Sequence, residues 1–155
     1  MVWAVRIVAV LALALAGFAG WVRLAPSDPA RWHVDPVDAP DPGRPNFARI
    51  GPEAGPVYPV APEELAARIE AVALGWPRTR RLAGAPEDLW MTYVTRSALW
   101  GFPDYTSVRV LPAEGGARLA AFARARFGRS DLGVNRARLD GWLAALAADP
   151  GVAAQ

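Results

Sequence analysis

ARLAAFARARFGRSDLGVNRARLDGWL, residues 117–143, changes its periodicity once, and that change decides the fold. From Ala117 to Phe127 the side chains alternate. Leu119, Ala121, Ala123, Ala125 and Phe127 fall on one side, and Arg118, Phe122, Arg124 and Arg126 on the other, which is the period of a strand. Farther along, Leu132, Leu139, Trp142, Leu143 and Leu146 form a helical stripe that Asp149-Pro150-Gly151 stops. Between the two lies GRSDLGVNRAR, residues 128–138, in which Ser130 or Asp131 suits the N-cap of the helix. A strand therefore runs straight into a helix.

Working back toward the N-terminus, the same reading yields three more strands. PAEGG (112–116) is a hairpin connection in which Gly115 and Gly116 supply permissive backbone, and YTSVRVL before it places Thr106, Val108 and Val110 on one side. ALWGFPD is an aromatic loop, expected to plug the core or to form a hydrophobic lip. DLWMTYVTRS and RTRRLAG are rich enough in β-branched and aromatic residues to be strands. In the former, Met91, Tyr93, Thr95 and Ser97 share one face and Trp90, Thr92, Val94 and Arg96 the other, and neither face is cleanly apolar. PEELAARIEAVAL opens with Pro62 and two glutamates, which suit a first helical turn, and carries Leu65, Ile69, Val72 and Trp76 at helical spacing. The expectation is an α+β domain over residues 62–148: a helix, a four-stranded and mostly antiparallel sheet, and a helix, with the helices covering one face. Residues 149–155 are read as a tail.

Residues 1–23 contain IVAVLALALAGFAGWV (7–22), uncharged and bracketed by Arg6 and Arg23. With the residues before Arg6 the run reaches the ~20 needed to span a bilayer. It is read as a single-pass anchor that leaves the domain on the exported side. The alternative is a signal peptide cleaved after Ala16 or Ala19, releasing a secreted domain. Residues 24–61 hold nine of the fifteen prolines and no apolar period, so they are read as an extended spacer that holds the domain off the membrane, with Trp32, Phe47 and Tyr58 pinning parts of it to the domain surface.

Composition removes many chemistries. There is no cysteine, so thiolate catalysis, disulfides and Cys-zinc sites are out. All seventeen basic residues are arginines, which rules out Schiff-base and P-loop lysine chemistry. The single histidine, His33, falls in the Pro-rich stretch, outside the expected domain, so no serine triad is expected within it. No metal and no cofactor are expected. A net charge of +2 is too small for a nucleic-acid partner.

What remains is anion chemistry and carboxylate chemistry. A helix start attracts anions, and Arg124, Arg126 and Arg129 lie just upstream of Ser130, Asp131 and Asn135. Together with Arg96 and Asp104, these residues form the candidate site. The alternative for Asp131 is a cap that already fills the anion's place. Arg78, Arg80, Arg81, Arg109 and Arg118, with Arg96, Arg124 and Arg126, are read either as lining one sheet face that meets an anionic ligand or as a solvated face whose stems cover apolar surface. Asp104 with Asp131 is the one carboxylate pair open to acid–base work. The expected partners are the membrane through the N-terminal segment, an anionic small molecule or lipid headgroup, or an envelope protein for which the domain is a scaffold.

The pieces TYVTRSALWGFPDYTSVRV and RARFGRSDLGVNRARLDGWL resemble bacterial and plant proteins grouped as domain of unknown function 1499, most specifically in G-x-S-D-L-G-V-N-x-x-R, Gly128 through Arg138. WPRTRRLAG, VYPVAPEEL and the N-terminal apolar run are similar to bacterial members. Where many relatives have PNC, this chain has Pro45-Asn46-Phe47, and a serine-rich strand of the family reads Ala123-Arg124-Ala125-Arg126 here. The resemblance implies a membrane- or envelope-associated domain and no particular reaction.

Overall fold

In the computed structural model, which describes residues 2–152, the chain begins with a single long helix, α1 (Val2–Leu24), apolar enough to cross a membrane. Its last turn does not lead into free chain. Val22 and Ala25 are buried against the rest of the protein, and α2 (Pro29–Trp32), a single turn capped by Asp28, follows at once.

The predicted elements form close to where the periodicity put them. They are α3 (Pro62–Gly75), β3 (Thr79–Ala85), β4 (Trp90–Arg96), β5 (Pro103–Ala113), β6 (Gly116–Ala125) and α4 (Val134–Ala147). The four strands are antiparallel neighbours in the order β6-β5-β4-β3. The fold is α+β, but the sheet has six strands. β1 (Phe47–Ile50) and β2 (Val57–Tyr58) both pair with β6, and both come from the stretch expected to be a spacer. Gly116 shows how closely that stretch is packed: its φ is 146°, and a Cβ there would sit 2.0 Å from the Tyr58 carbonyl oxygen.

Two coverings close the sheet. On the front, α3 and α4 bury Leu65, Ile69, Leu139, Trp142 and Leu146 against Met91, Tyr93, Val108, Val110, Leu119 and Ala121. On the back lies the proline-rich chain. The Trp32 ring stacks on Tyr105 with centroids 3.9 Å apart, and His33 stacks on Trp90 at 4.0 Å. This corrects the spacer reading and explains β4, whose two faces are both buried although neither is cleanly apolar. Met91 and Tyr93 meet the helices, whereas Thr92 meets His33 Nδ1 at 2.9 Å. Burial on the back face is made by rings and hydrogen bonds, so no apolar stripe announces it.

Leu132 is also corrected. Periodicity puts it in the buried stripe of the last helix, but in the structure it precedes α4 in a left-handed conformation (φ 54°) and is 93% exposed. The aromatic loop is likewise not a core plug. Trp100 and Phe102 pack edge-on against Phe18 of α1, and Leu99 is 72% exposed. The tail after Ala147 turns back through Asp149, whose carboxylate accepts from Arg68, and buries Val152; residues 153–155 lie outside the described residues.

Candidate functional site

The signature GRSDLGVNRAR resolves into two parts that point in opposite directions. Its second half is interior. Asn135 and Arg138, three residues apart on one face of α4, are both buried. Arg138 donates to Asp104 at 2.7 Å, to Asn135 Oδ1 at 2.8 Å and to Thr106. Asn135 Nδ2 donates to the Asn46 carbonyl at 3.3 Å, and the Asn46 side chain donates in turn to the Gly128 carbonyl at 3.0 Å. This buried chain of polar groups ties α4, β5, the β1 approach and the turn after β6 together. Burial pushes the Asp104 carboxyl above its ordinary value, and Arg138 opposes the shift.

The first half is exterior. Ser130 Oγ accepts from the Leu132 amide at 3.2 Å. Asp131 accepts from the Gly133 amide at 3.2 Å and the Asn135 amide at 2.8 Å, so its carboxylate occupies the helix start. Arg129 is exposed and carries no ion pair among the described residues.

The remaining candidates separate in the same way. Arg124 is buried on the back face. It donates to the Trp32 carbonyl, to the Phe122 carbonyl at 3.1 Å and to Ser107 Oγ at 3.3 Å, while lying over the Trp32 and Phe122 rings. Burial pulls its guanidinium down to about 10, Arg49 nearby acting in the same direction and Tyr105 against it. Arg126 reaches the Pro26 carbonyl at 2.8 Å. Arg49, which was not singled out, similarly holds the Pro36 and Ala39 carbonyls. These arginines bind the chain's own backbone and clasp the proline-rich segment to the sheet.

Arg96 belongs elsewhere. It ends β4 at the edge of the sheet nearest α1, where β5 begins (Arg96 opposite Pro103) and β6 finishes (Asp104 opposite Ala125). Its guanidinium donates to the Val22 carbonyl at 3.3 Å and to the Gly101 carbonyl at 2.8 Å. Around it is a cleft of about 480 Å³ lined by Arg23, Arg78, Thr79, Arg80, Val94 and Ser97. A second hollow of about 530 Å³ shares Arg78, Arg96 and Ser97 and reaches Trp76, Thr95 and Asp104. None of Arg23, Arg78, Arg80 and Arg96 forms an ion pair among the described residues. Burial lowers the Arg96 guanidinium, and the like charges of Arg80, Arg126 and Arg23 lower it further. The site thus gathers positive charge that no carboxylate pairs with among the described residues, Asp104 in the adjoining hollow being held by Arg138.

The sequence offers Arg78, Arg80 and Arg96 among the arginines that line one sheet face, but not Arg23. Arg23 reads as the flank of an apolar run, and only docking of α1 brings it beside β3. Arg138 was also missed, although its i, i+3 spacing from Asn135 was a usable signal. His33, assigned outside the domain, sits within a line of hydrogen bonds from its Nδ1 through Thr92 Oγ1 to Ser107 Oγ, the second step being 2.9 Å. Burial lowers its pKa below the ordinary 6.5, opposed by Asp88 and Asp35.

Residues 38–146 match the family model described as "Protein of unknown function (DUF1499)", which covers more than half of the chain, and the protein belongs to that family. No curated protein and no solved structure matches the chain.

Proposed function

We propose that this member of the DUF1499 family is a membrane-anchored, exported-side domain that binds an anionic ligand in the cleft formed by Arg23, Arg78, Arg80 and Arg96. One observation carries the reading: these four arginines line a single cleft at the end of the apolar helix, with no carboxylate paired to any of them among the described residues. Like charges held together destabilise a fold unless something of opposite charge visits. Guanidinium forks also match phosphate and carboxylate geometry. Arg126 adds to the same positive field, while Arg124, Ser130, Asp131 and Asn135 hold the surrounding chain in place.

Retention of the anchor is supported by the packing of Phe18 on Trp100 and Phe102. Cleavage after Ala16 or Ala19 would strip either the support of that contact or Phe18 itself. Acid–base catalysis receives less support, because Asp104 is held by Arg138 and Asp131 by two backbone amides.

The test uses the full chain in an uncharged detergent, titrated with inorganic phosphate and followed by tryptophan fluorescence, since Trp76 lines the adjoining hollow that shares Arg78 and Arg96. A saturable response that the double variant Arg78→Gln/Arg80→Gln weakens supports the reading. No saturable response, or one that the double variant leaves unchanged, removes it. A reporter fused after Gln155 should be active on the exported side; activity confined to the cytoplasm would refute the topology.

A further inference from the structure

Three segments at the α1 end of the sheet carry an exposed apolar side chain close to an arginine without an ion pair among the described residues. The turn after β4 presents Leu99, 72% exposed, next to Arg96. The turn after β6 presents Leu132, 93% exposed, next to Arg129. The end of α1 presents Trp21 and Leu24 around Arg23. The rings of Phe18, Trp21, Trp100, Phe102 and Phe127 join these three segments into one aromatic cluster of tilted and edge-on pairs. Leu132 makes the pattern hard to attribute to folding. A branched side chain in the left-handed region is strained, and this one buries nothing in return.

The length of α1 sets the depth of this surface. Arg6 and Arg23 are seventeen residues apart, about 26 Å along a helix, close to the ~30 Å hydrocarbon thickness of a bilayer once both side chains snorkel outward. Arg23 therefore lies at headgroup level. Because Val22 and Ala25 are buried against the domain, the cleft that Arg23 lines lies at that level too. Aromatic rings gather at this depth, with arginines above them.

We propose that the α1 end of the domain is a membrane-docking face, with Leu99 and Leu132 seated among the acyl chains and the Arg23–Arg78–Arg80–Arg96 cleft holding the phosphate of an anionic phospholipid from the bilayer that α1 crosses. The proposal rests on the anion-binding reading above and names the occupant. A membrane lipid meets both requirements of the surface at once, because its phosphate lies a few ångströms above the apolar layer that Leu99 and Leu132 need. A soluble phosphate compound would leave those leucines in water.

The experiment uses the full chain in nanodiscs of phosphatidylcholine with and without phosphatidylglycerol. Lipid retained after extraction into nonionic detergent should be enriched in phosphatidylglycerol, and Arg78→Gln and Arg80→Gln should each cut the enrichment about fivefold. The chain has no cysteine, so Leu132→Cys, an exposed position, accepts a single nitroxide label. That label should be reached by dissolved oxygen in the acyl layer and not by a water-soluble nickel chelate. Chelate access at 132 together with no phosphatidylglycerol enrichment overturns the proposal. If soluble glycerol phosphate then still binds the chain in uncharged detergent, the anion-binding reading stands with a soluble ligand. If it does not, both readings fall.

Discussion

The two faces of the sheet are buried to similar completeness by opposite means. The front face is closed by α3 and α4 with side chains such as Leu65, Ile69, Trp142 and Leu146. The back face is closed by residues 25–46, a stretch without helical or strand period, through stacked rings and arginine-to-carbonyl hydrogen bonds. Apolar periodicity reports only the first kind of burial. The second depends on where distant backbone carbonyls end up, so a proline-rich segment can form half of a core and still read as a spacer.

The front face should fail hardest. Arg138→Ala removes the partner of Asp104 and leaves a largely buried carboxyl without its counter-charge, so we expect a loss of about 3 kcal/mol in urea unfolding of the full chain in detergent. A loss below about 1 kcal/mol would mean that the Asp104–Arg138–Asn135–Asn46 chain is not what ties α4 to the sheet. Arg124→Ala attacks the back face instead. It removes charged hydrogen bonds to Trp32 and Phe122 carbonyls, for an expected cost of about 2 kcal/mol. The signature is local: amide exchange should speed up across residues 25–46 while β5 and β6 stay protected. Uniform acceleration would show that the clasp and the sheet unfold together.

The same contrast explains what could be read in advance. β3 to β6, α3 and α4 were legible because each carries its own period and stop signals, and the Gly115–Gly116 turn was legible from its residues. β1 and β2 were not, because four and two residues are too short to show alternation. Arg96 could be named as a site residue, but the cleft around it could not, since Arg23 and Arg78 are distant in sequence. Asp131 could be named as a partner of the helix-start amides because both bonds are local, although the N-cap residue itself is Gly133 rather than Ser130 or Asp131.

A pH test sharpens the comparison further. The folded pKa of His33 lies below its unfolded value, so neutral His33 contributes stability that is present above pH 6.5 and is lost as pH falls through the lowered value. Exchange protection in residues 25–46 should therefore fall as pH drops from 6.5 toward the lowered value and level off below it, while protection on the α3–α4 face is unaffected. His33→Phe keeps a ring over Trp90 and should abolish the dependence. A front face equally sensitive to that pH range would refute the assignment to His33. The smallest effect is expected from Arg136→Ala on the exposed side of α4. Its pair with Asp140 is one turn apart and solvated, so stability should change by no more than about 0.5 kcal/mol.

By itself the sequence determined the α+β class, the four long strands and their flanking helices, the apolar N-terminal helix and the absence of thiol, lysine and multi-histidine chemistry. Those properties depend on residue types and on periods a few residues long. Tertiary structure alone decided that the proline-rich segment closes the sheet, that Arg124 and Arg138 are interior, that Leu132 is outside, and that four arginines meet beside the end of α1. Each of those is a pairing across tens of residues, set by which backbone carbonyl or ring a side chain meets once the chain has folded, and no local pattern encodes it.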